Sequence, residues 1–98
     1  MNINAELEAF CTYLETVKRA SQNTILSYRR DLHQMQEYLE KEGIWDLTKV
    51  TKTSLNSYIL YLEQQGKATA TISRMLASGK AFFHYEFSKG NIHQDPAE

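Results

Sequence analysis

The 98-residue sequence has little of what cross-links, breaks or anchors a chain: one cysteine, one proline and four isolated glycines. A single cysteine, Cys11, cannot form an internal disulfide, which favours a reducing compartment such as the cytoplasm. The longest apolar run, residues 58–62, is far shorter than the roughly 20 residues of a membrane span. The opening residues also lack the basic start and apolar stretch of a signal peptide. Because the only proline is at position 96, no internal boundary divides the chain, and we expect one small domain. The short apolar runs predict that it has no membrane partner.

Reactive side chains are equally scarce. The histidines His33, His84 and His93 have neither a His-x-x-x-His nor a Glu-x-x-His spacing, which argues against a metal site. The glycines are too far apart to form a phosphate-binding loop. Cys11 falls on an apolar stripe, where a buried structural thiol is expected rather than a nucleophile. The sequence therefore predicts no catalytic residue, no metal and no cofactor.

Apolar residues recur at helical spacing in four segments. These segments cover about residues 4–17, 23–42, 52–65 and 69–89. Thr51 is the expected N-cap of the third, and Gly43, Gly66 and Gly90 are the expected ends of the second, third and fourth. Alternation typical of a strand is missing, apart from a short piece within residues 44–50. The pattern predicts an all-α, four-helix bundle with short connections.

A weak internal repeat leaves a second architecture open. Thr24 precedes Gly43 by the same distance as Thr71 precedes Gly90, an offset of 47 residues. This period suits HEAT-type helical repeats, but a solenoid generally needs three or more repeats and only two fit here. We interpret the repeat as two similar helical hairpins, with a fragment of a solenoid as the alternative.

The net charge of −1 indicates no particular partner, but its distribution is uneven. Seven of the eleven basic residues lie in two windows without acids, residues 16–30 and 64–85. If folding brings the windows together, one face of the domain is basic. The alternative is chance clustering of charges on a solvated surface.

Helical wheels place polar and cationic side chains opposite the apolar stripes. On the second helix this arc holds Asn23, Ser27, Arg30 and Gln34. On the fourth helix it holds Arg74, Ala77, Ser78 and Ala81, flanked by Thr71, Ser73 and Lys80. Short polar and cationic side chains suit phosphates and base edges, and small residues let a helix sit deep in a groove of DNA.

The expected positions of the aromatic residues help to distinguish a single-stranded from a duplex nucleic-acid partner. Tyr28, Tyr58, Phe82 and Phe83 are expected in the core, so they do not favour a stacking platform for single strands. Duplex DNA is therefore the favoured partner. A helical protein-interaction domain that binds no DNA is the alternative from a different class.

Several motifs resemble the N-terminal core-binding domain of Xer-type tyrosine recombinases and phage integrases. Residues 21–32, SQNTILSYRRDL, are similar to the first signature of that family. Residues 67–69 and 71–78 resemble its second signature, and residues 82–85 and 95–97 its characteristic ending. The resemblance implies a SAM-like four-helix bundle over residues 1–90. It also implies that residues 91–98 begin a linker to a catalytic domain that this sequence does not contain.

The resemblance further implies that the domain forms half of a clamp around a duplex recombination site, with four protomers acting together and catalysis in a separate domain. It implies no metal or nucleotide cofactor, and none of the six tyrosines corresponds to the nucleophile. The DNA contacts carried over from the motifs are Ser21, Asn23, Thr24, Ser27, Arg30, Lys67, Thr71, Ser73, Arg74 and Ser78. Lys18, Arg29 and Lys80 are added from charge and wheel position only. The Gly79-Lys80 pair and the near-neutral charge depart from the family pattern, and the near-neutral charge predicts weak binding by the isolated domain.

Overall fold

The computed structural model describes residues 2–98, which form four α-helices. Helix α1 spans Ile3–Thr16, α2 Gln22–Lys41, α3 Lys52–Gln64 and α4 Thr69–Ser88. A 3-10 turn, Leu47–Lys49, lies between α2 and α3. The short strand expected in residues 44–50 is reduced to one isolated bridge between Asn2 and Asp46. Within residues 2–98, no helix is both long enough and apolar enough to cross a bilayer.

The ends of the helices follow the capping chemistry of the sequence. Ser21 caps α2 by accepting a hydrogen bond from the backbone N–H of Thr24, 3.2 Å away. Thr51 and Ser54 form a reciprocal capping box at the start of α3, which confirms Thr51 as the cap. Gly43 follows α2 with φ of 81°, a left-handed conformation that costs glycine little. The predicted end of α2 and the predicted cap of α3 are therefore confirmed.

All four helices pack around one shared core. Helix α1 contacts both α2 and α4, and α3 also contacts both α2 and α4. Phe10 of α1 meets Phe82 of α4 edge-on, with ring centroids 5.6 Å apart, and both are almost fully buried. Tyr58 and Phe83 are buried as predicted. This arrangement confirms the four-helix bundle and contradicts the alternative of a solenoid fragment.

The burial predicted from apolar periodicity can be compared with the observed burial at three residues of the apolar stripes. Cys11 is buried as predicted, and burial raises the pKa of its thiol, which disfavours the reactive thiolate. Val17 was expected on the stripe of α1 but is 64% exposed, because the helix ends one residue earlier. Tyr28 was expected in the core and is only half-buried.

The segment after α4 lies against the bundle without regular secondary structure. Ile92 and Pro96 are buried, and the side-chain amide of Asn91 donates a hydrogen bond of 2.8 Å to Glu86 Oε2. Its suggested role as the start of a linker stays a prediction.

Gly79 lies inside α4 at the point where α4 packs against α2. A Cβ atom placed there would lie 3.6 Å from the sulfur of Met35, an ordinary contact distance. Because alanine favours a helix interior over glycine by about 1 kcal/mol, we expect Gly79→Ala to stabilise the domain. The melting temperature should rise by about 4–8 °C in a calorimetric scan. A lower melting temperature would show that Met35 does not tolerate the methyl group.

Candidate nucleic-acid interface

A buried carboxylate joins α2 to α4 at the centre of the candidate site. Asp31 is 1% exposed and accepts hydrogen bonds from Arg74 Nη2 at 2.9 Å and Nε at 3.2 Å. The hydroxyl of Ser78 donates a third hydrogen bond to the same carboxylate at 2.9 Å. This network fixes the rotation of both helices. A forked arginine pair of this kind adds geometric precision as well as energy.

The Asp31 network turns the polar arcs of both helices to one surface. In each helix, the residues about a quarter turn from the network and opposite the core are exposed or half-buried. We define the α2–α4 face by four such residues, Asn23, Ser27, Arg30 and Ser73, together with the exposed part of Arg74 from the network itself. Arg30 Nη2 lies 3.5 Å from Ser27 Oγ. The exposed methyl side chain of Ala77 lies on the same side of α4.

Other predicted contacts extend or border this face. Ser21 and Thr24 are exposed at the first turn of α2, with a hydrogen bond of 2.9 Å between their hydroxyls. Lys18 is exposed in the turn before α2. Thr71, in the first turn of α4, is half-buried.

Lys67, in the connection between α3 and α4, lies near the C-terminal half of α2 and close to an acidic residue. Its exposed side chain lines a small cleft together with Gln34 and Glu37 of α2. Glu37 is exposed, so the basic surface is bounded by a carboxylate at this end. Sequence windows alone placed no acid there.

Two predicted contacts, Ser78 and Arg29, are turned away from this face, and a third, Lys80, borders a second groove. Ser78 is 6% exposed because its hydroxyl is held by Asp31. Arg29 turns toward α1, where its Nη2 lies 3.1 Å from Glu8 Oε1. Lys80 is exposed two turns after Ser73 on α4 and also lines a groove between α3 and α4, so its contact with DNA stays a prediction.

Arg74 also differs from the expectation of a free cation, because its charge is paired with Asp31. The carboxylate itself is buried and presents no negative surface, whereas the arginine side chain is 48% exposed. Nη1 of Arg74 makes no hydrogen bond to Asp31, so the guanidinium retains donors for a second partner. The α2–α4 face is therefore less positive than the charge windows predicted, and one of its cations is rigidly held.

Sequence reasoning missed two features of the site. The first is Asp31 itself, which served only to mark the edge of a basic window. The arginine and serine spaced four apart in α4 are the signal that points to a shared acceptor. The second is Lys89, which follows Tyr85 by one helical turn and lies with its Nζ 5.3 Å from the centre of that ring.

The fold and this polar face define a small four-helix domain with a polar surface shared by α2 and α4. The family model described as the phage integrase N-terminal SAM-like domain matches residues 7–90. This chain therefore belongs to the family of phage integrase N-terminal SAM-like domains.

Curated relatives support the same family. A protein of Caldanaerobacter subterraneus subsp. tengcongensis, named as tyrosine recombinase TTE1313, is 44% identical over 90% of this chain and 30% of its own length. Tyrosine recombinase XerC of Pseudomonas aeruginosa is 30% identical over 97% of this chain and 31% of its own length. XerC of Roseiflexus castenholzii is 31% identical over 98% of this chain and 31% of its own length. The chain thus spans about a third of the length of these relatives. No solved structure matches it.

Proposed function

We propose that this chain binds duplex DNA as the N-terminal domain of a site-specific tyrosine recombinase. The observation that carries the proposal is the α2–α4 face, where Arg30 and Arg74 flank a buried rather than exposed carboxylate. Membership of the integrase family supports the same reading, because the relatives it aligns with are named as recombinases.

The face suits the major groove, which is about 12 Å wide and admits one helix. Arg30 is exposed and would neutralise a phosphate. Arg74 would offer its remaining guanidinium donors from a fixed position, since Asp31 already holds the other edge. Asn23, Ser27 and Ser73 carry short polar groups that reach base edges or phosphates.

The proposed interface is smaller than the set of residues taken from sequence. Ser21, Thr24, Lys18, Lys67 and Thr71 remain as contacts at its margins. Ser78 and Arg29 are left out, because Ser78 is buried against Asp31 and Arg29 pairs with Glu8 of α1. Lys80 remains as a further contact at the margin.

We infer that chemistry belongs to the part of the recombinase that corresponds to the other two thirds of its relatives. Residues 91–98 would connect the two parts, and a duplex recombination site and other recombinase protomers would be the partners. On this proposal, the chain binds and positions DNA but does not cut it.

Salt dependence tests the proposal. With Lys18, Arg30, Lys67 and Arg74 facing DNA, three or four phosphates are neutralised, so log affinity should fall against log salt with a slope of about −3. Arg30→Ala should make that slope shallower by about one and weaken binding about fivefold for unrelated sequences alike, because a phosphate contact carries no sequence information. Fluorescence anisotropy with labelled duplexes measures both quantities.

Lys49→Ala is the matched control, since Lys49 is exposed but lies in the 3-10 turn, outside α2 and α4. It should leave the slope within experimental error of the wild type. A helical protein-interaction domain, the alternative, would show little DNA binding. Equal effects of Arg30→Ala and Lys49→Ala would contradict the assignment of the α2–α4 face.

A further inference from the structure

A groove opens where the end of α1, the start of α2 and the last turns of α4 meet. It is open to solvent and has a volume of about 660 Å³. Lys18 and Thr24, two contacts at the margin of the α2–α4 face, line it. Thr24 lies three residues before Ser27, so the groove adjoins that face.

Aromatic rings form the floor of the groove. Tyr13 of α1, Tyr28 of α2 and Tyr85 of α4 line it, and each is half-buried. The rings of Tyr13 and Tyr85 lie 4.7 Å apart, and Phe10 beneath them contacts both Tyr28 and Tyr85. The three tyrosines come from three different helices. The apolar periodicity of each helix places its own tyrosine near the core, but it does not show that the three rings meet at the surface.

Polar and basic side chains form the rim. Lys18 and Lys89 provide the cations, and His84, Ser88 and Thr24 provide hydrogen-bonding groups. Among the described residues, none that lines the groove is an aspartate or a glutamate. A ligand that complements it is therefore anionic and has an apolar, flat part.

A paired duplex does not meet both requirements. It presents phosphates to the rim, but its bases are stacked inside and offer nothing to a tyrosine floor. A nucleotide whose base has left the stack presents a phosphate and a flat apolar ring together. Aromatic side chains combined with lysines are the usual means by which proteins hold unpaired nucleotides.

We propose that this groove binds one unpaired nucleotide of the DNA that the α2–α4 face holds. The proposal rests on the proposed function, because the duplex on either side of that nucleotide must be bound by the same domain. The base would lie against the tyrosine floor, and Lys18 and Lys89 would neutralise the adjoining phosphates.

The test compares an intact duplex with the same duplex carrying one extra, unpaired thymidine. Wild-type protein should bind the bulged duplex about fivefold more tightly in fluorescence anisotropy, since one stacked base contributes about that factor or more. Lys89→Gln, at an exposed position, should lower affinity for the bulged duplex more than for the intact one. Tyr85→Leu, which keeps an apolar side chain on the floor, should bring the ratio of affinities close to one.

Matched controls lie on other parts of the molecule. Lys49→Gln changes an exposed lysine of the 3-10 turn, and Tyr61→Leu changes a half-buried tyrosine of α3. Both should keep the fivefold ratio. If Tyr85→Leu does not fold, Lys89→Gln against Lys49→Gln still decides the result.

The outcomes separate this inference from the proposed function. Tight binding of the intact duplex with no preference for the bulge would overturn the inference and leave the proposed function standing. No binding of either duplex would overturn both. Binding of a short poly-glutamate peptide that is lost in Lys89→Gln, with no preference for the bulge, would assign the groove to a protein partner and also overturn the inference.

Discussion

Replacing Arg74 with alanine should destabilise this domain by about 2–4 kcal/mol, a large part of the stability of a chain of this size. The substitution leaves the carboxylate of Asp31, which is 1% exposed, with the hydroxyl of Ser78 as its remaining side-chain donor. Removing one partner of a buried ion pair is costly because the other charge stays desolvated. The vacated, half-exposed position of the arginine admits water, which keeps the loss below that of a fully enclosed pair.

Urea denaturation followed by circular dichroism measures this loss. Arg30→Ala is the control, because Arg30 is the neighbouring residue of Asp31 in the chain and is exposed. Its effect on the free energy of unfolding should stay within about 0.5 kcal/mol. A loss for Arg74→Ala as small as the one expected for Arg30→Ala would show that the Asp31 pair contributes little to stability.

A double-mutant cycle isolates the pair itself. In the background of Asp31→Asn, which removes the negative charge but keeps the shape, Arg74→Ala should cost much less than in the wild type. The difference between the two costs is the coupling between Arg74 and the charge of Asp31. The size of the stability loss matters for DNA studies, because the DNA affinity of Arg74→Ala must be measured under conditions in which the variant is still folded.

These arginines illustrate what the sequence could and could not predict. Periodicity and capping predicted the helices well, because Thr51, Gly43, Gly66 and Gly90 act within one turn of their own position. The family resemblance, which also comes from short motifs, was confirmed over residues 7–90.

Periodicity, capping and short motifs do not predict which side chains of different helices contact one another. A helical wheel gives the direction of Arg74 relative to its own helix, but the position of Asp31 relative to that helix depends on packing. The charge windows therefore treated Arg74 as free and the helical wheel treated Ser78 as exposed, although one acid of another helix binds both. The tyrosine groove escaped notice for the same reason, since its rings meet only in the folded chain.

The second large effect concerns a carboxyl group at the opposite end of α4. Glu86 is fully buried, and burial is the main reason that its pKa is raised to about 7. The nearby carboxylate of Glu6 on α1 raises the pKa further, whereas the amide of Asn91 and the charge of Lys89 lower it. Asn91 donates to both carboxylates, at 2.8 Å to Glu86 and 3.3 Å to Glu6.

This raised pKa predicts that the domain loses stability as the pH rises. An unfolded chain releases the proton of Glu86 near its ordinary pKa of 4.5, whereas the folded chain keeps it up to about pH 7. Between these values the folded state binds more protons, so the free energy of unfolding falls as the pH increases. The stabilisation is fully present below pH 4.5 and is lost through pH 7, with a total of about 3 kcal/mol.

Glu86→Gln should remove most of this dependence. A glutamine has the same shape, accepts from Asn91 with its oxygen and donates to Glu6 with its amide, but it carries no charge at any pH. We therefore expect the variant to be about 3 kcal/mol more stable than the wild type at pH 8, and nearly equal to it at pH 4.5. Urea denaturation across this range of pH measures the two curves.

Glu63→Gln is the matched control, since Glu63 is exposed near the end of α3 and its substitution should leave the curve unchanged. A wild-type stability that rises from pH 5 to pH 7 in a manner sensitive to Glu86 would mean that the folded state prefers the charged carboxylate. Burial would then be outweighed by the hydrogen bond from Asn91. The expected fall instead makes Glu86 a carboxylic acid kept partly protonated at neutral pH, with Asn91 joining it to α1 and to the segment that follows α4.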